Sequence, residues 1–185
     1  MRKRIVVAAV LAVLLAASAY AQAVDFFALV RSGTPQEVQS AIDKGAKVTA
    51  RNQYGWTPFM VAAYYNQNPE VITTLLKAGS DIEARDLDYD ATALMWATEA
   101  NQNLAIFTTL LKAGADVKAQ DTSGDTALMW AAGHVGNPDV ITALLKAGAD
   151  ARAKNRAGRT AFDYAQGNAN LQGTDAYRQL QEASE

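Results

Sequence analysis

Apolar residues in this chain recur at intervals typical of one face of a helix. Between residues 68 and 79 they lie one, three and one positions apart, which predicts a helix with a single apolar stripe. The stripe consists of Val71, Ile72, Leu75 and Leu76. The preceding Asn-Pro-Glu at 68–70 offers a capping side chain, a proline suited to the first turn and an acid near the positive end of the helix dipole. The following Lys-Ala-Gly at 77–79 favours a left-handed helix end.

This pattern repeats along the chain. The string Leu-Leu-Lys-Ala-Gly begins at Leu75, Leu110 and Leu144, at steps of 35 and 34, and a degraded copy begins at Ala41. A second string has the same period and is built around a threonine in each unit. These residues are Thr57, Thr92, Thr126 and Thr160. Two independent strings with one period indicate a repeat protein.

Each unit is predicted to contain two helices joined by a short loop. Thr57 can cap the first helix and Pro58 suits its first position, where no backbone N–H is needed. The second helix begins at the Asn-Pro pairs at 68 and 137. The polar segment between Gly79 and the next threonine favours an extended finger with a turn over a third helix. In the second unit Asp90 occupies the turn position that is glycine elsewhere, and aspartate tolerates a left-handed backbone better than most residues.

The residues at 57–63 (Thr-Pro-Phe-Met-Val-Ala-Ala) and at 145–150 (Leu-Lys-Ala-Gly-Ala-Asp) resemble the two best-marked stretches of the ankyrin repeat. The resemblance covers about residues 24–180. It implies an all-α solenoid of helix-turn-helix units with β-hairpin-like fingers. Two departures stand out. The period is mostly 34 residues instead of 33. The family's histidine, which normally makes hydrogen bonds between repeats, is replaced by methionine or aspartate, and methionine can fill the same gap by packing alone. The replacements are Met60, Met95, Met129 and Asp163.

The repeat boundaries predict a capped stack. We expect an amino-terminal capping repeat at 24–52, three full repeats at 53–86, 87–120 and 121–154, and a carboxy-terminal capping repeat with a tail at 155–185. Terminal units are atypical in such stacks because an exposed face between repeats would aggregate.

The first 21 residues have the three-part pattern of a secretory signal peptide. Three basic residues, Arg2 to Arg4, precede an apolar run of 13 residues from Ile5 to Ala17, and small residues follow. At 1.5 Å per residue the run spans roughly 20 Å, less than the about 30 Å of a bilayer core. We expect cleavage after Ala21, with Ala23 as the alternative, and a periplasmic or secreted protein. Together with the repeats, this resembles an exported bacterial ankyrin-repeat protein.

Composition excludes several kinds of site. The chain has no cysteine, so disulfides, a thiol nucleophile and sulfur-ligated zinc are excluded, and one histidine excludes sites with two imidazoles. The formal net charge is −2, and loss of the three basic residues with the signal makes it −5. A mildly acidic chain without basic clusters is a poor candidate for binding nucleic acid or an anionic membrane. We expect no cofactor and no catalytic site, because neither a phosphate loop nor a Ser/His/Asp arrangement is visible.

By resemblance, partners bind the concave face, which the finger tips and the exposed side of the first helices form. The residues expected there are Tyr54, Trp56, Tyr64, Tyr65, Asp88, Tyr89, Glu99, Asp125, His134, Arg156 and Arg159. The first unit is rich in tyrosine and tryptophan, which interfaces favour. The alternative is that some of these rings cover the edge of the amino-terminal cap. The last finger is basic and the second acidic, so the face would be dipolar and could orient a partner.

Two further patterns leave alternatives open. Trp96, Trp130 and Tyr164 share one repeat position and would form a ladder of rings, either as a binding groove or as core between repeats; we favour core. Asp86, Asp88 and Asp90 alternate as calcium ligands do, but the spacing of an EF-hand fails, so an acidic finger is preferred to a metal site.

The main hypothesis is therefore a monomeric, non-catalytic module that binds one partner protein. The alternative is a binder of a small molecule or cell-wall ligand in an aromatic groove. Repeat scaffolds keep their framework while their contact positions vary, so the sequence does not identify the partner.

Overall fold

The computed structural model describes residues 26–134 and 137–184. The predicted signal peptide and both cleavage positions lie outside these residues. The described part contains ten helices and no strand. The first helix, α1, covers residues 26–32. The others are α2 Pro35–Asp43, α3 Pro58–Tyr65, α4 Pro69–Lys77, α5 Ala93–Ala100, α6 Leu104–Lys112, α7 Ala127–His134, α8 Asp139–Lys146, α9 Ala161–Ala165 and α10 Asp175–Ser184.

The helices form two layers. In one layer α3 contacts α5, α5 contacts α7 and α7 contacts α9; in the other α2, α4, α6, α8 and α10 contact each other in that order. We call the first set the inner helices and the second set the outer helices. This arrangement confirms the predicted all-α ankyrin-type solenoid of stacked helix pairs.

The helix starts follow the sequence signals. The Thr57 side chain accepts the Met60 N–H, and Pro58 is the first residue of α3, as predicted. The Asn68 side chain likewise accepts the Glu70 N–H at the start of α4. At α8 the first helical residue is Asp139, and its N–H is bound by the Asn137 side chain at 3.0 Å, so this Asn-Pro pair also caps a helix.

Four fingers connect the repeats. They span residues 52–56, 86–91, 121–125 and 155–159, and each is closed by a backbone hydrogen bond between its first and last residue. The first residue of each is Asn or Asp, whose side chain accepts N–H groups of its own turn. Finger 2 is one residue longer than the others, and Asp90 takes a φ of 55° in it, which confirms the predicted left-handed turn.

Consecutive fingers are hydrogen-bonded to each other. The Leu87 N–H donates to the Tyr54 carbonyl, and the Thr122 N–H donates to the Tyr89 carbonyl. The Arg85 guanidinium adds a further link, because it donates to the carbonyl of Asp90 in finger 2 and to the Gln120 carbonyl next to finger 3. The fingers therefore form one continuous, braced edge.

The core between the layers is apolar. Leu75, Leu110 and Leu144 of the repeated string are fully buried in the outer helices. The methionines that replace the family's histidine are buried as well, which fits the prediction that they fill space by packing. Asp163, at the same position in the last unit, is exposed and completes a capping box with Thr160 instead.

Buried asparagines, which were not predicted from the sequence, bond the loops between helices to the preceding repeat. The Asn101 side chain donates to the carbonyls of Ala63 and Asn66, and its oxygen accepts the Asn103 N–H. Asn66 does the same one repeat earlier, donating to the carbonyl of Val30. The identical tripeptides Asn-Gln-Asn at 66–68 and 101–103 are the signal that could have revealed them.

Over residues 26–134 and 137–184, none of the helices has the length and apolar character required to cross a membrane.

Candidate inner-face binding site

An aromatic series runs along the inner helices beneath the fingers. The ring centroids of Trp96 on α5 and Trp130 on α7 are 5.2 Å apart, and those of Trp56 and Trp96 are 4.4 Å apart. Trp56 comes from finger 1, because the first repeat has Val61 at the position of Trp96 and Trp130. Tyr89 of finger 2 lies edge-on against both Trp96 and Trp130. We call the surface formed by the fingers and these rings the inner face.

A buried carboxylate holds each of the two inner-helix indoles. Trp96 Nε1–H donates to Asp86 Oδ2 at 2.7 Å, and Trp130 Nε1–H donates to Asp121 Oδ2 at 2.9 Å. Each aspartate also organises its own finger turn, so one side chain fixes both the finger and the ring below it. This role of Asp86 and Asp121 was not predicted from the sequence. The signal for it is their position nine or ten residues before a tryptophan in two units.

The ladder position is neither wholly core nor wholly groove. Trp96 is 7% exposed and belongs to the core, as favoured. Trp130 is only half-buried and contributes to the wall of a cavity. Tyr164 makes no ring contact with Trp130 within the described part of the chain; it directs its hydroxyl toward Asp125 instead.

The exposed large apolar side chains of the described residues lie together on the inner face. They are Tyr54 (53% exposed), Tyr65 (39%), Leu87 (73%) and Tyr89 (50%). Three of them are predicted binding residues. Leu87 was missed because it falls in finger 2, whose extra residue shifts the turn relative to the other units.

The amino-terminal end of the inner face combines exposed and supporting rings. Tyr64 lies between Trp56 and Tyr65, with centroid distances of 5.4 and 4.5 Å. Arg31 of α1 stacks on the Tyr65 ring at 3.9 Å, so this ring does cover the edge of the cap on one side while remaining accessible on the other. Burial, with a contribution from the negative charge of Glu99, raises the pKa of Tyr64.

A hydrogen-bond network joins finger 3 to the last repeat. The Tyr164 hydroxyl donates to Asp125 at 3.0 Å, and the Asn155 side chain donates to Asp125 Oδ1 at 2.6 Å. Burial, followed by the interaction with Asp125, raises the pKa of Tyr164. Arg159 lies over the Tyr164 ring at 4.4 Å. Asp125 and Arg159, both predicted binding residues, therefore both contact Tyr164.

The remaining predicted residues are dispersed. His134, the last residue of α7, is exposed, and its Nδ1 lies 3.1 Å from the Trp130 carbonyl oxygen. Because a carbonyl can only accept, Nδ1 is the donor of that bond. Asp88 and Arg156 are exposed at the tips of fingers 2 and 4, and they line neither of the two inner-face concavities described next.

Two concavities open on the inner face. One, of about 600 Å³, lies between α1 and finger 1 and includes Arg31, Tyr54 and Tyr65. The other, of about 300 Å³, lies between fingers 2 and 3 and the inner helices α5, α7 and α9. Its lining is Tyr89, Trp96, Glu99, Asp121, Ser123, Asp125, Met129, Trp130, His134 and Tyr164. We call the second the aromatic-acidic cavity.

The alternating aspartates of finger 2 have other partners. Asp86 is occupied by Trp96 and its own turn, and Asp90 pairs with Arg85 at 3.5 Å. Over the residues that the structure describes, no three histidine or acidic side chains converge as ligands of a metal ion would.

The family model for ankyrin repeats matches three overlapping stretches, residues 26–121, 68–155 and 94–176. The chain belongs to the ankyrin-repeat family. Members of the family generally mediate protein–protein interactions and are generally not catalytic. The curated relatives include the mitochondrial disaggregases of Bos taurus, 47% identical over 51 residues, and Homo sapiens, 45% identical over 51 residues. In each case the match covers 28% of this chain and 7% of the relative.

Proposed function

We propose that the inner face binds a partner protein and that the chain has no catalytic role. The observation that carries this proposal is the position of the exposed large apolar side chains. Tyr54, Leu87 and Tyr89 lie on the two hydrogen-bonded fingers 1 and 2, and Tyr65, at the end of α3, lines the same concavity as Tyr54. Exposed aromatic residues gathered in one patch are characteristic of binding surfaces, and the family's general role supports the same conclusion.

The patch is held ready for binding. The backbone carbonyls of Tyr54 and Tyr89 each accept a hydrogen bond from the next finger, and the Tyr89 ring packs edge-on against Trp96 and Trp130. A partner would therefore meet finger backbones, and at Tyr89 a ring, that have little conformational freedom left to lose.

The decisive experiment compares two faces of the same protein. Full-length protein carrying a photo-cross-linker would be compared with the double variant Tyr54→Ala/Tyr65→Ala and with Lys112→Ala/Lys146→Ala, which changes exposed residues of the outer helices. We expect the partner captured by wild-type protein to be lost in the first variant and retained in the second. Equal capture by both would refute the inner face as the binding surface.

We also propose that the protein is monomeric and is exported from the cytoplasm. Export is supported by the sequence of residues 1–21, which has a basic start, an apolar run and small residues near its end. Cell fractionation and amino-terminal sequencing of the mature protein test this, together with light scattering for the monomer. Protein found in the cytoplasm with its amino terminus intact would refute export.

A second candidate is a small-molecule site in the aromatic-acidic cavity. The aromatic walls of this cavity favour such a site, because ligand pockets are lined mainly by apolar and aromatic side chains. Its volume of about 300 Å³ lies at the lower end of the range for ligand pockets. Exchange of the exposed Tyr54 and Tyr65 would leave such binding unchanged, which separates this candidate from the protein-binding function.

A further inference from the structure

The aromatic-acidic cavity is lined mainly by aromatic rings and by acidic side chains. Its walls are the rings of Tyr89, Trp96, Trp130 and Tyr164. Its acidic groups are Glu99, Asp121 and Asp125, and neither lysine nor arginine is among the residues that line it. His134 completes the rim.

The acidic groups of the cavity have no cationic partner in the described part of the chain. The ion pairs found there are Arg85 with Asp90 and Arg178 with Asp175, and neither involves the cavity. Asp121 is satisfied by neutral donors, namely backbone N–H groups and the Trp130 indole. Asp125 likewise accepts hydrogen bonds from the neutral side chains of Asn155 and Tyr164, and Arg159, although stacked on Tyr164, forms no ion pair with Asp125 among the described residues. A cation entering the cavity would be attracted by these carboxylates.

The aromatic walls suit the same kind of ligand. A guanidinium or ammonium group is attracted to the negative face of a tryptophan or tyrosine ring. The inner face already contains two examples, Arg31 on Tyr65 at 3.9 Å and Arg159 on Tyr164 at 4.4 Å. Since Arg159 stacks on a ring of the cavity itself, the stacking of a cation beside these carboxylates is compatible with the packing of the last repeat.

The space available fits one long side chain. The cavity has a volume of about 300 Å³. Tyr89 forms part of its lining and is half exposed, so that this ring belongs both to the cavity and to the apolar patch of the fingers. A protein segment lying across the fingers would pass over the cavity opening. A basic side chain of that segment could then enter between the rings while the backbone stays on the surface.

We propose that the aromatic-acidic cavity receives a lysine or arginine side chain of the partner protein. This inference rests on the proposed binding function and specifies the chemistry of the partner. It makes Glu99 the residue of choice for a test, because its carboxylate is exposed at the cavity and is not part of the hydrogen-bonded finger turns.

The test uses the three tryptophan indole N–H signals of the full-length, isotope-labelled protein. Trp96 and Trp130 line the cavity and Trp56 does not. The probes are Nα-acetyl-arginine methylamide and its neutral analogue with citrulline, and Nα-acetyl-lysine methylamide and its neutral analogue with norleucine. We expect saturable shifts of the Trp96 and Trp130 signals with a charged probe, and binding at least about fivefold weaker with its neutral analogue.

A matched pair of variants assigns the effect to the cavity. Glu99→Gln and Glu70→Gln remove one negative charge each, the second at the start of the outer helix α4. We expect Glu99→Gln to weaken binding of the charged probe by roughly threefold to fivefold, as for loss of one exposed charge pair, and Glu70→Gln to leave it unchanged. Equal binding of charged and neutral probes, or equal binding by both variants, would overturn the inference.

Failure of the inference can be told apart from failure of the proposed function. Partner capture that depends on Tyr54 and Tyr65 but is unaffected by Glu99→Gln keeps the binding function and overturns the basic-side-chain assignment. Partner capture reduced by Glu99→Gln and unaffected by Glu70→Gln supports both.

Discussion

The contact between neighbouring fingers can be measured with two glycines that share one repeat position. Gly55 and Gly158 have φ values of 76° and 77°, so exchange for alanine meets the same unfavourable left-handed backbone at both sites. Their surroundings differ. A Cβ on Gly55 would lie 2.5 Å from Leu87 Cγ and 2.8 Å from the Leu87 backbone nitrogen, whereas a Cβ on Gly158 meets nothing within 4 Å.

The expected magnitudes follow from this difference. Gly158→Ala should lower the free energy of unfolding by about 1 kcal/mol, the cost of a left-handed alanine. Gly55→Ala should lower it by about 1–3 kcal/mol more, because the Leu87 backbone cannot move without weakening its hydrogen bond to Tyr54. The exposed Leu87 side chain can turn away, so the double variant Gly55→Ala/Leu87→Ala should recover only the smaller part of the loss.

Urea denaturation followed by far-ultraviolet circular dichroism measures both variants on one scale. The slope of each curve must match that of the wild-type protein for the comparison to hold. Equal loss of stability in Gly55→Ala and Gly158→Ala would refute the close packing of fingers 1 and 2 and with it the braced edge described above.

Three further predictions concern the turn of finger 2, the buried amide and the last finger. Asp90→Ala should cost up to about 1 kcal/mol in urea denaturation, whereas Asp90→Gly should not, since only glycine accepts the left-handed backbone freely. Asn101→Ala leaves buried carbonyls without donors and should cost about 2–4 kcal/mol, while Gln102→Ala, at an exposed neighbour, should change stability by less than about 0.5 kcal/mol. The raised pKa of Tyr164 means that the fold favours the protonated hydroxyl, so the stability it contributes is present below the unfolded pKa and is lost as pH rises from about 10 through the higher folded pKa. Tyr164→Phe should show a smaller loss of stability in this alkaline range, and an identical pH profile would count against the Asp125 contact.

Local signals in the sequence predicted the framework because they act within one helix or turn. Thr57 binds an N–H three residues away, and the glycine of each Leu-Leu-Lys-Ala-Gly string ends its own helix. Asp90 could be predicted for the same reason, since its left-handed conformation is a property of a single residue.

The missed features depend on partners about one repeat away. Asn101 donates to carbonyls 35 and 38 residues earlier, and Arg31 meets Tyr65 across the boundary between the cap and the first repeat. Neither contact has a local periodicity that would mark it. The extra residue in finger 2 had a further effect on the alignment of the repeats. Counting back from Thr92 sets Asp88 beside Thr122 and Arg156, whereas the hydrogen bonds between fingers give that position to Leu87.

The aromatic series has an optical consequence. The protein has three tryptophans, and all of them belong to this series, with successive ring centroids 4.4 and 5.2 Å apart. At such separations the indole transitions couple, and excitation passes among the rings faster than any one of them emits. Near-ultraviolet dichroism of the unlabelled protein therefore reports the mutual orientation of three successive repeats, and fluorescence change at any point of the series is shared by all three indoles.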